Sequence, residues 1–347
     1  MKIGLDLGTT SLAAVRVDDT TLEVERTLTV SNAGEHGFGP DGAHEQNADA
    51  ILQAAEDLIA EISGGSDSVE LALTGQMHGV VAVDRDLKPM TELVTWRDRR
   101  DAEVAEREGL RTGWGGVTMA RWAREGLRPF RCLPIPGYLI ARRTGECVID
   151  ETFAHSWGIW SLETRDWDYE KIARLGIPME WLPKLVPGSM LGDNQAGVFA
   201  AQHWRPGAAV VNLGTSGQLS VVGEGVGGER RPFPGGRVMR CRASLIGGRA
   251  FADLATELGV SYEELNCRAE SDPRVADCVA RIADDLAGDL DLTGVTSLVG
   301  VGNALRLNPA LRAAVERRFG LPCFLPDIQE MATYGAALAR FGTNHEA

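Results

Sequence analysis

The sequence predicts an α/β protein with two related lobes, and three observations lead to that fold class. The chain has 347 residues, a length typical of about two domains. Residues 2–74 follow a strand–strand–strand–helix–strand pattern, which is that of a mixed α/β unit. The second half repeats part of it, since DLGTTSLAAV at Asp6–Val15 is matched by NLGTSGQLSVV at Asn212–Val222, which starts 206 residues later. Because both copies join an apolar strand to another strand, they favour an internal duplication.

The elements of the first lobe follow from residue type and spacing. Runs rich in apolar and β-branched residues predict strands at 2–6, 11–17, 22–30 and 69–74. Residues 47–62 repeat apolar side chains at helical spacing, and Asn47 is a residue type favoured as an N-cap.

The second lobe is predicted in the same way. Strands are expected at 208–213, 218–222 and 297–301, and helices at 276–290, 309–319 and 332–341. Asn308-Pro309 is typical of an N-cap followed by proline in the first turn, and Gly320 of a helix end. Small residues dominate the last helix, so we expect it to pack tightly.

Charge and cysteine content exclude several classes of protein. The 35 basic and 49 acidic residues leave a net charge of −14, which argues against a nucleic-acid partner. No window holds 18 uninterrupted apolar residues, so no membrane span is expected. The six cysteines lack CxxC spacing, and we expect reduced thiols rather than a zinc site. Asp6 falls where a signal peptide needs an apolar run, so the expected location is the cytoplasm.

The first candidate site is Asp6-Leu7-Gly8-Thr9-Thr10, between two predicted strands. Such a turn presents backbone N–H groups and hydroxyls at one point, which suits phosphate oxygens. Asp6, at the end of its strand, is suited to a hydrated Mg²⁺. The alternative is an ordinary hairpin with an Asx-type turn. The repeat at 212–216 favours the functional interpretation.

Two further segments combine a strand end with a helix start. Gly300-Val301-Gly302-Asn303, followed by Asn308, brings backbone close to a ligand, although a plain strand-to-helix turn is the alternative. Asp193, in GDNQAG, stands at a predicted helix start, where the helix dipole keeps a carboxylate ionised and able to accept a proton from a hydroxyl. The alternative for Asp193 is a simple N-cap.

Polar and aromatic residues suited to a polyhydroxylated ligand occur in TGQMHG (74–79) and TWRD (95–98). For His78 taken alone, a structural histidine is the commoner explanation.

Taken together, these segments resemble one family. IGLDLGTTS, TGQMHG, TWRD, GDNQAG, NLGTSGQLS and GVGNALRLNP occur in the order found in the FGGY carbohydrate kinases. The match is colinear from Met1 to about Arg340. Within the family, the chain is most similar to the kinases of sedoheptulose and, next, of D-xylulose. The resemblance implies two actin/hexokinase-like (ribonuclease H-like) lobes, 1–204 and 205–347, with an ATP and sugar cleft between them.

The resemblance also implies roles for particular residues. Asp193 would be the catalytic base, and Asp6 and Asp193 the carboxylates near Mg²⁺. The positions matching the family's ATP-binding loops are Asp6, Gly8, Thr9, Thr10, Gly214, Thr215, Ser216, Gly300, Gly302, Asn303 and Asn308. Those matching its sugar-side positions are Gln76, Met77, His78, Trp96, Asp98 and Asn194. The implied reaction is the ATP-dependent phosphorylation of a terminal hydroxyl of a ketose.

The chain departs from the family by being short. A strand-bearing segment is missing between Ser189 and Gly192, so the strand before Asp193 is either within 184–191 or absent. A larger insert is replaced by about twenty residues between Leu258 and Asp277. The alternative to an active kinase is therefore a catalytically impaired relative that binds sugar or nucleotide. The losses could also leave apolar surface exposed, which a homodimer would cover.

Overall fold

The computed structural model describes residues 1–66, 68–214, 216–244 and 246–342. It divides into two compact units. Unit 1 contains Met1–Ala200 and the segment that starts at Ala332, and unit 2 contains Ala201–Met331. No helix in these ranges is long and apolar enough to cross a membrane.

The strands of unit 1 are β1 (Lys2–Leu7), β2 (Ser11–Val17), β3 (Val24–Ser31), β4 (Glu35–Phe38), β5 (His44–Gln46), β6 (Glu70–Gly75), β7 (Val81–Val83), β8 (Leu93–Val94), β9 (Arg131–Leu133), β10 (Val148–Ile149), β11 (Trp160–Ser161), β12 (Asp166–Trp167), β13 (Lys184–Leu185) and β14 (Leu191–Gly192). Its helices are α1 (Ala48–Ser63), α2 (Ala102–Arg107), α3 (Gly115–Arg124), α4 (Ile135–Thr144), α5 (Glu151–Ser156) and α6 (Tyr169–Leu175), with 3₁₀ turns at Pro40–Gly42 and Met179–Trp181. Helix α7 (Asp193–Trp204) begins in unit 1, and its residues from Ala201 belong to unit 2.

The strands of unit 2 are β15 (Ala209–Leu213), β16 (Gly217–Val222), β17 (Glu229–Phe233), β18 (Arg237–Ser244), β19 (Leu298–Val301) and β20 (Cys323–Phe324). The remaining helices are α8 (Gly248–Leu258), α9 (Tyr262–Cys267), α10 (Pro273–Ala287), α11 (Asn303–Leu307), α12 (Pro309–Phe319) and α13 (Met331–Phe341).

The central sheet of unit 1 has the order β14-β6-β1-β2-β3. The first three strands of the chain form an antiparallel meander, and β6 and β14 add to its other side in parallel with β1. Helix α1 packs its buried face on this sheet, with Asn47 as its N-cap accepting a hydrogen bond from the Ala50 amide at 2.7 Å. The predicted helix and its cap are thus confirmed.

Unit 2 repeats this topology, with the strand order β17-β18-β16-β15-β19-β20. Strand β15 pairs antiparallel with β16 and parallel with β19, as β1 does with β2 and β6. The duplication suggested by the two LGT segments is therefore present in the sheets. Helices α8, α10 and α12 contribute buried apolar residues to the core of this unit.

Helix α13 is the largest difference from the expected domain boundaries. The sequence placed 205–347 in one lobe, whereas the segment from Ala332 packs with unit 1. Glycines allow the close approach, because a Cβ at Gly4 would overlap the carbonyl oxygen of Thr333, and one at Gly335 would overlap that of Ala196. The predicted tight packing of this helix is confirmed, and its partner is a strand remote in sequence.

The region before Asp193 contains two short strands rather than one. Residues Lys184–Leu185 pair with β10, and Leu191–Gly192 pair with β6. A two-residue strand therefore precedes Asp193, although the intervening chain is abbreviated. In the second shortened region, Leu258–Asp277, the chain forms α9 and the start of α10.

Candidate functional site

The turn after β1 is built around a glycine. A Cβ at Gly8 would lie 2.7 Å from the carbonyl oxygen of Ser11 and 3.8 Å from Asp6 Oδ2, so a side chain there would fill the space beside the carboxylate. Asn32 Nδ2 donates to the carbonyl oxygens of Gly8 and Thr9, at 2.9 and 3.2 Å. Thr10 is exposed. Asn32 thus fixes the backbone of the turn, and Thr10 remains at the surface.

Three neighbouring parallel strands end at the same edge of the unit 1 sheet. In the register, Leu7 of β1 pairs with Gly75 of β6, and Gly75 pairs with Gly192 of β14. Asp193 follows Gly192 directly and is the first residue of α7. Because adjacent strands lie about 4.8 Å apart, β1 and β14 are about 10 Å apart. Two predicted carboxylates, Asp6 and Asp193, therefore flank the end of β6.

A hydrogen-bonded ring joins the phosphate turn to the sugar-side residues. Thr9 Oγ1 donates to Gln76 Oε1 at 3.2 Å, and Gln76 Nε2 donates to Gln46 Oε1 at 2.7 Å. Gln46 Nε2 closes the ring by donating to the Thr9 carbonyl oxygen at 2.8 Å. Trp96 Nε1 adds a bond to Thr9 Oγ1 at 2.9 Å. Both glutamines are buried, so these bonds fix their orientation.

His78 is held by the end of helix α5. Its backbone N–H donates to Ser156 Oγ at 3.0 Å, and its Nδ1 lies 2.7 Å from the Ser156 carbonyl oxygen. A carbonyl only accepts, so Nδ1 is the donor in this contact. The imidazole ring stacks on Trp114, with ring centroids 5.3 Å apart. The backbone φ of His78 is 72°, a value rarely adopted by a residue with a Cβ.

Met77 and Asn194 both lie close to the Gly192–Asp193 segment. A Cβ at Gly192 would be 2.8 Å from Met77 Sδ, so the methionine packs directly on the end of β14. Asn194 is the second residue of α7, and its backbone N–H donates to Asp193 Oδ1 at 2.7 Å.

Asp98, predicted on the sugar side, is engaged within the protein. Its side chain is 2% exposed and accepts from Arg100 Nε and from the His44 amide, at 2.8 and 3.0 Å. Burial lowers the pKa of Arg100, but hydrogen bonds to Asp98 and Glu45 outweigh that effect, and the net pKa is raised. Asp98 is thus an anchor for the segment that carries Trp96.

The corresponding turn of unit 2 follows β15. Gly214 and Ser216 are exposed, and Thr215 lies outside the described residues. Gly302 has φ 91°, and a Cβ there would be 2.5 Å from the Leu213 carbonyl oxygen and 2.9 Å from Asn212 Oδ1. Gly300 lies within β19 and pairs with Val211 of β15, and the turn after β19, at Gly302, approaches the end of β15, with Asn303 exposed.

Asn308 occupies the N-cap position just before α12, but its side chain makes no capping hydrogen bond. Its Nδ2 donates to the Ala304 carbonyl oxygen at 2.8 Å, and its Oδ1 accepts from Asn266 Nδ2 at 3.1 Å. The helix begins where the sequence predicted, but the side chain connects α11 to α9 instead. Asn266 belongs to the abbreviated stretch, which therefore contacts the predicted nucleotide-binding loop.

Comparisons with known proteins also find carbohydrate kinases of the FGGY family. Residues 1–110 match the N-terminal domain of the FGGY family of carbohydrate kinases. Human sedoheptulokinase aligns with 97% of this chain and 96% of its own length at 25% identity. The chain is therefore similar to the FGGY carbohydrate kinases over residues 1–110 and to sedoheptulokinase over nearly its whole length. The alignment with the human protein extends over 463 residues, so that relative has segments which this shorter chain lacks.

Alignments with other relatives cover a smaller share of both proteins. Xylulose kinase of Streptomyces rubiginosus is 27% identical over 262 residues, or 63% of this chain. This chain matches only about half (54%) of that relative. Among solved structures, the gluconate kinase of Lactobacillus acidophilus has a TM-score of 0.88 at 16% identity and covers 99% of this chain and 90% of its own. The actin/hexokinase-like fold class is thereby confirmed.

Sequence reasoning gave no site role to four residues that build this candidate site, which are Asn32, Gln46, Trp114 and Ser156. A buried polar residue on a short strand, as Gln46 is on β5, gives no local signal in a single sequence. Its role depends on contacts with residues 30 or more positions away.

Proposed function

We propose that this chain is an ATP-dependent kinase that phosphorylates a terminal hydroxyl of a ketose, sedoheptulose or D-xylulose. The observation that carries the proposal is the position of Asp193. Although the preceding segment is abbreviated, Asp193 still follows a strand paired with β6 and still begins a helix. It therefore stands at the same sheet edge as the turn Gly8–Thr10.

In the proposed reaction, Asp193 accepts the proton of the attacking hydroxyl. At the first position of α7, its carboxylate is favoured in the ionised form by the helix dipole. His78, oriented by its Nδ1 contact with the Ser156 carbonyl oxygen, is proposed to contact a sugar hydroxyl. Gln76, Met77, Trp96 and Asn194 are proposed to contact the sugar, with Asp98 holding the segment of Trp96.

The proposed cofactors are ATP and Mg²⁺, and the residues present fit them. Gly8 leaves space beside Asp6, Thr10 is exposed in the same turn, and Gly214, Ser216 and Asn303 are exposed in the loops of unit 2. The described residues contain no group of three or more His, Cys, Asp or Glu that could hold a metal. A Mg²⁺ near Asp6 and Asp193 would therefore keep most of its waters, as it prefers. When bound, it would neutralise charge on the phosphates.

We also propose a cytoplasmic location for the reaction. The six cysteines are free thiols in the structure, and reduced thiols are usual in that compartment.

The test is ADP release with Mg-ATP across a panel of sedoheptulose, D-xylulose, D-ribulose, L-ribulose, L-fuculose, gluconate and glycerol. We expect a ketose-dependent rate that Asp193→Asn lowers by about 10²–10⁴-fold. Asp168→Asn is the matched control, because Asp168 is also an aspartate at the start of a unit 1 helix. ADP release that is independent of sugar, or unaffected by Asp193→Asn, would contradict the proposal.

A catalytically impaired sugar- or nucleotide-binding protein is the second candidate. The observation in its favour is the absence of segments that the 463-residue alignment with human sedoheptulokinase includes. Saturable binding of ketose and nucleotide, measured calorimetrically, without any transfer of phosphate would support it.

A further inference from the structure

Helix α5 is connected at its start to the residue that precedes Asp193. Asp150, its N-cap, accepts from the amide and the hydroxyl of Thr152, at 2.8 and 2.6 Å. The Thr152 hydroxyl in turn accepts from the Gly192 amide at 3.0 Å. The other carboxylate oxygen of Asp150 accepts from the Gly188 amide at 2.7 Å. Both side chains are buried, with 4% and 1% exposure.

These contacts hold the abbreviated stretch of chain at two points. Gly188 and Gly192 lie in the segment that leads from β13 to α7. Strand β14 is at the edge of its sheet and has only two residues, so few ladder bonds hold it. The bond from Gly192 to Thr152 is thus an added restraint one residue before Asp193.

The other end of α5 holds the sugar-side histidine. Ser156, the last residue of the helix, accepts from the His78 amide through its hydroxyl and faces His78 Nδ1 through its carbonyl oxygen. Helix α5 spans only Glu151–Ser156. A six-residue helix is about 9 Å long, and it links the backbone at Gly192 to that at His78.

We propose that Thr152, held by Asp150, is a positioning residue for Asp193, and that α5 sets the placement of Asp193 relative to His78. The inference rests on the proposed function, since it assumes that Asp193 is the base. Thr152 touches neither sugar nor nucleotide in this proposal and acts through the Gly192 backbone. Burial raises the pKa of Asp150, and hydrogen bonds from Thr152 and Gly188 partly oppose that effect.

Three variants separate position from folding. Thr152→Val keeps the shape but removes the acceptor of the Gly192 amide, and Thr152→Ser restores a hydroxyl. Asp168→Asn alters a helix cap of the same unit, where the Asp168 side chain accepts from the Lys171 amide in the first turn of α6. Misplacement of a reacting group by about 1 Å costs up to about 10²-fold in rate. We therefore expect Thr152→Val to lower kcat by about 10- to 100-fold, with KM for ketose changed less than about threefold.

The decisive measurement is a double-mutant cycle in kcat, followed with radiolabelled ATP. If Thr152 acts through Asp193, Thr152→Val has little further effect in the Asp193→Asn background. A general loss of folded protein would lower the rate by the same factor in both backgrounds and would overturn the inference. So would Thr152→Ser failing to restore most of kcat. If Asp193→Asn alone leaves the rate unchanged, the proposed function fails instead, and the two failures are distinguishable.

Hydrogen exchange of the segment 186–195 gives a readout independent of activity. Thr152→Val is expected to speed exchange at the Gly192 amide, because its acceptor is gone, whereas Asp168→Asn is expected to leave it unchanged. Unaltered protection in Thr152→Val would overturn the inference whatever the kinetics show.

Discussion

Trp96 Nε1 donates a hydrogen bond to Thr9 Oγ1 at 2.9 Å, although 87 residues separate them. The indole is 46% exposed, and its N–H reaches the turn that is proposed to face phosphate. The same threonine hydroxyl donates to Gln76, so one atom joins the turn to two proposed sugar-side residues. Sugar and nucleotide binding are therefore expected to be coupled through Thr9.

Trp96→Phe tests this coupling, because it removes the indole N–H and keeps an aromatic surface. One neutral hydrogen bond corresponds to about 1 kcal/mol, so we expect kcat/KM to fall about threefold to tenfold. The melting temperature should change little, since the side chain is half exposed. Trp204→Phe is the control, because Trp204 is equally exposed, at 44%, in unit 2. Equal effects of the two variants would contradict the prediction.

Gln46→Leu is expected to destabilise unit 1. It leaves Gln76 Nε2 without its acceptor in a buried site and removes one of the two donors to the Thr9 carbonyl oxygen, at a cost of about 1–3 kcal/mol in the free energy of unfolding. Urea denaturation measures that cost. Gln53→Leu, on the exposed side of α1, loses one surface bond to Asp57 and is expected to change stability by less than about 0.5 kcal/mol. Similar losses for both would show that Gln46 does not brace the turn.

Gly335→Ala is expected to destabilise the packing of α13 strongly. Its Cβ would overlap the backbone carbonyl oxygen of Ala196, which cannot turn aside as a side chain can. We expect a loss of about 3 kcal/mol or more in the free energy of unfolding. Gly197→Ala is the matched change, because a Cβ there meets nothing within 4 Å and the residue lies inside α7. It should be neutral or stabilising by up to about 1 kcal/mol, and thermal unfolding of both variants distinguishes the cases.

Arg240 is expected to be essential for the stability of unit 2. Its guanidinium is buried and donates to the carbonyl oxygens of Gly223, Val226 and Asp291, at 3.2, 2.6 and 2.9 Å. Arg240→Met removes all three bonds, and we expect a loss of about 2–4 kcal/mol by chemical denaturation.

Two further variants refine the Arg240 prediction. Arg240→Lys should recover little of the loss, because an ammonium lacks the planar fork that reaches three carbonyls. Arg237→Met, in the same strand but exposed, should cost less than about 1 kcal/mol. Full recovery by lysine would mean that charge alone, and not geometry, accounts for the effect.

The sequence predicted those elements whose cause is local. Helix α12 runs from Pro309 to Phe319 and ends at Gly320 in a left-handed conformation, as proline in the first turn and glycine at the end indicate. Strand β2 has the predicted bounds, Ser11–Val17. The repeated LGT turns predicted two sheets of like topology, because each turn, with its flanking strands, is a contiguous segment.

The short strands were beyond local reasoning. Strand β14 has two residues and pairs with β6, more than a hundred positions earlier in the chain. Two residues carry no periodicity, so only the neighbouring strand and the support of Thr152 define it. For the same reason, the sequence left open whether any strand precedes Asp193.

By itself, the sequence determined the fold class, the resemblance to the FGGY family, and the acidic and glycine-rich segments that carry the candidate site. The tertiary structure decided that Asp98 is an internal anchor, that Gln46 closes a ring with Thr9 and Gln76, and that α13 packs in unit 1. The physical reason is the range of the interactions. Turn and cap preferences depend on adjacent residues, whereas the hydrogen bonds of a buried polar side chain depend on whatever the fold brings next to it.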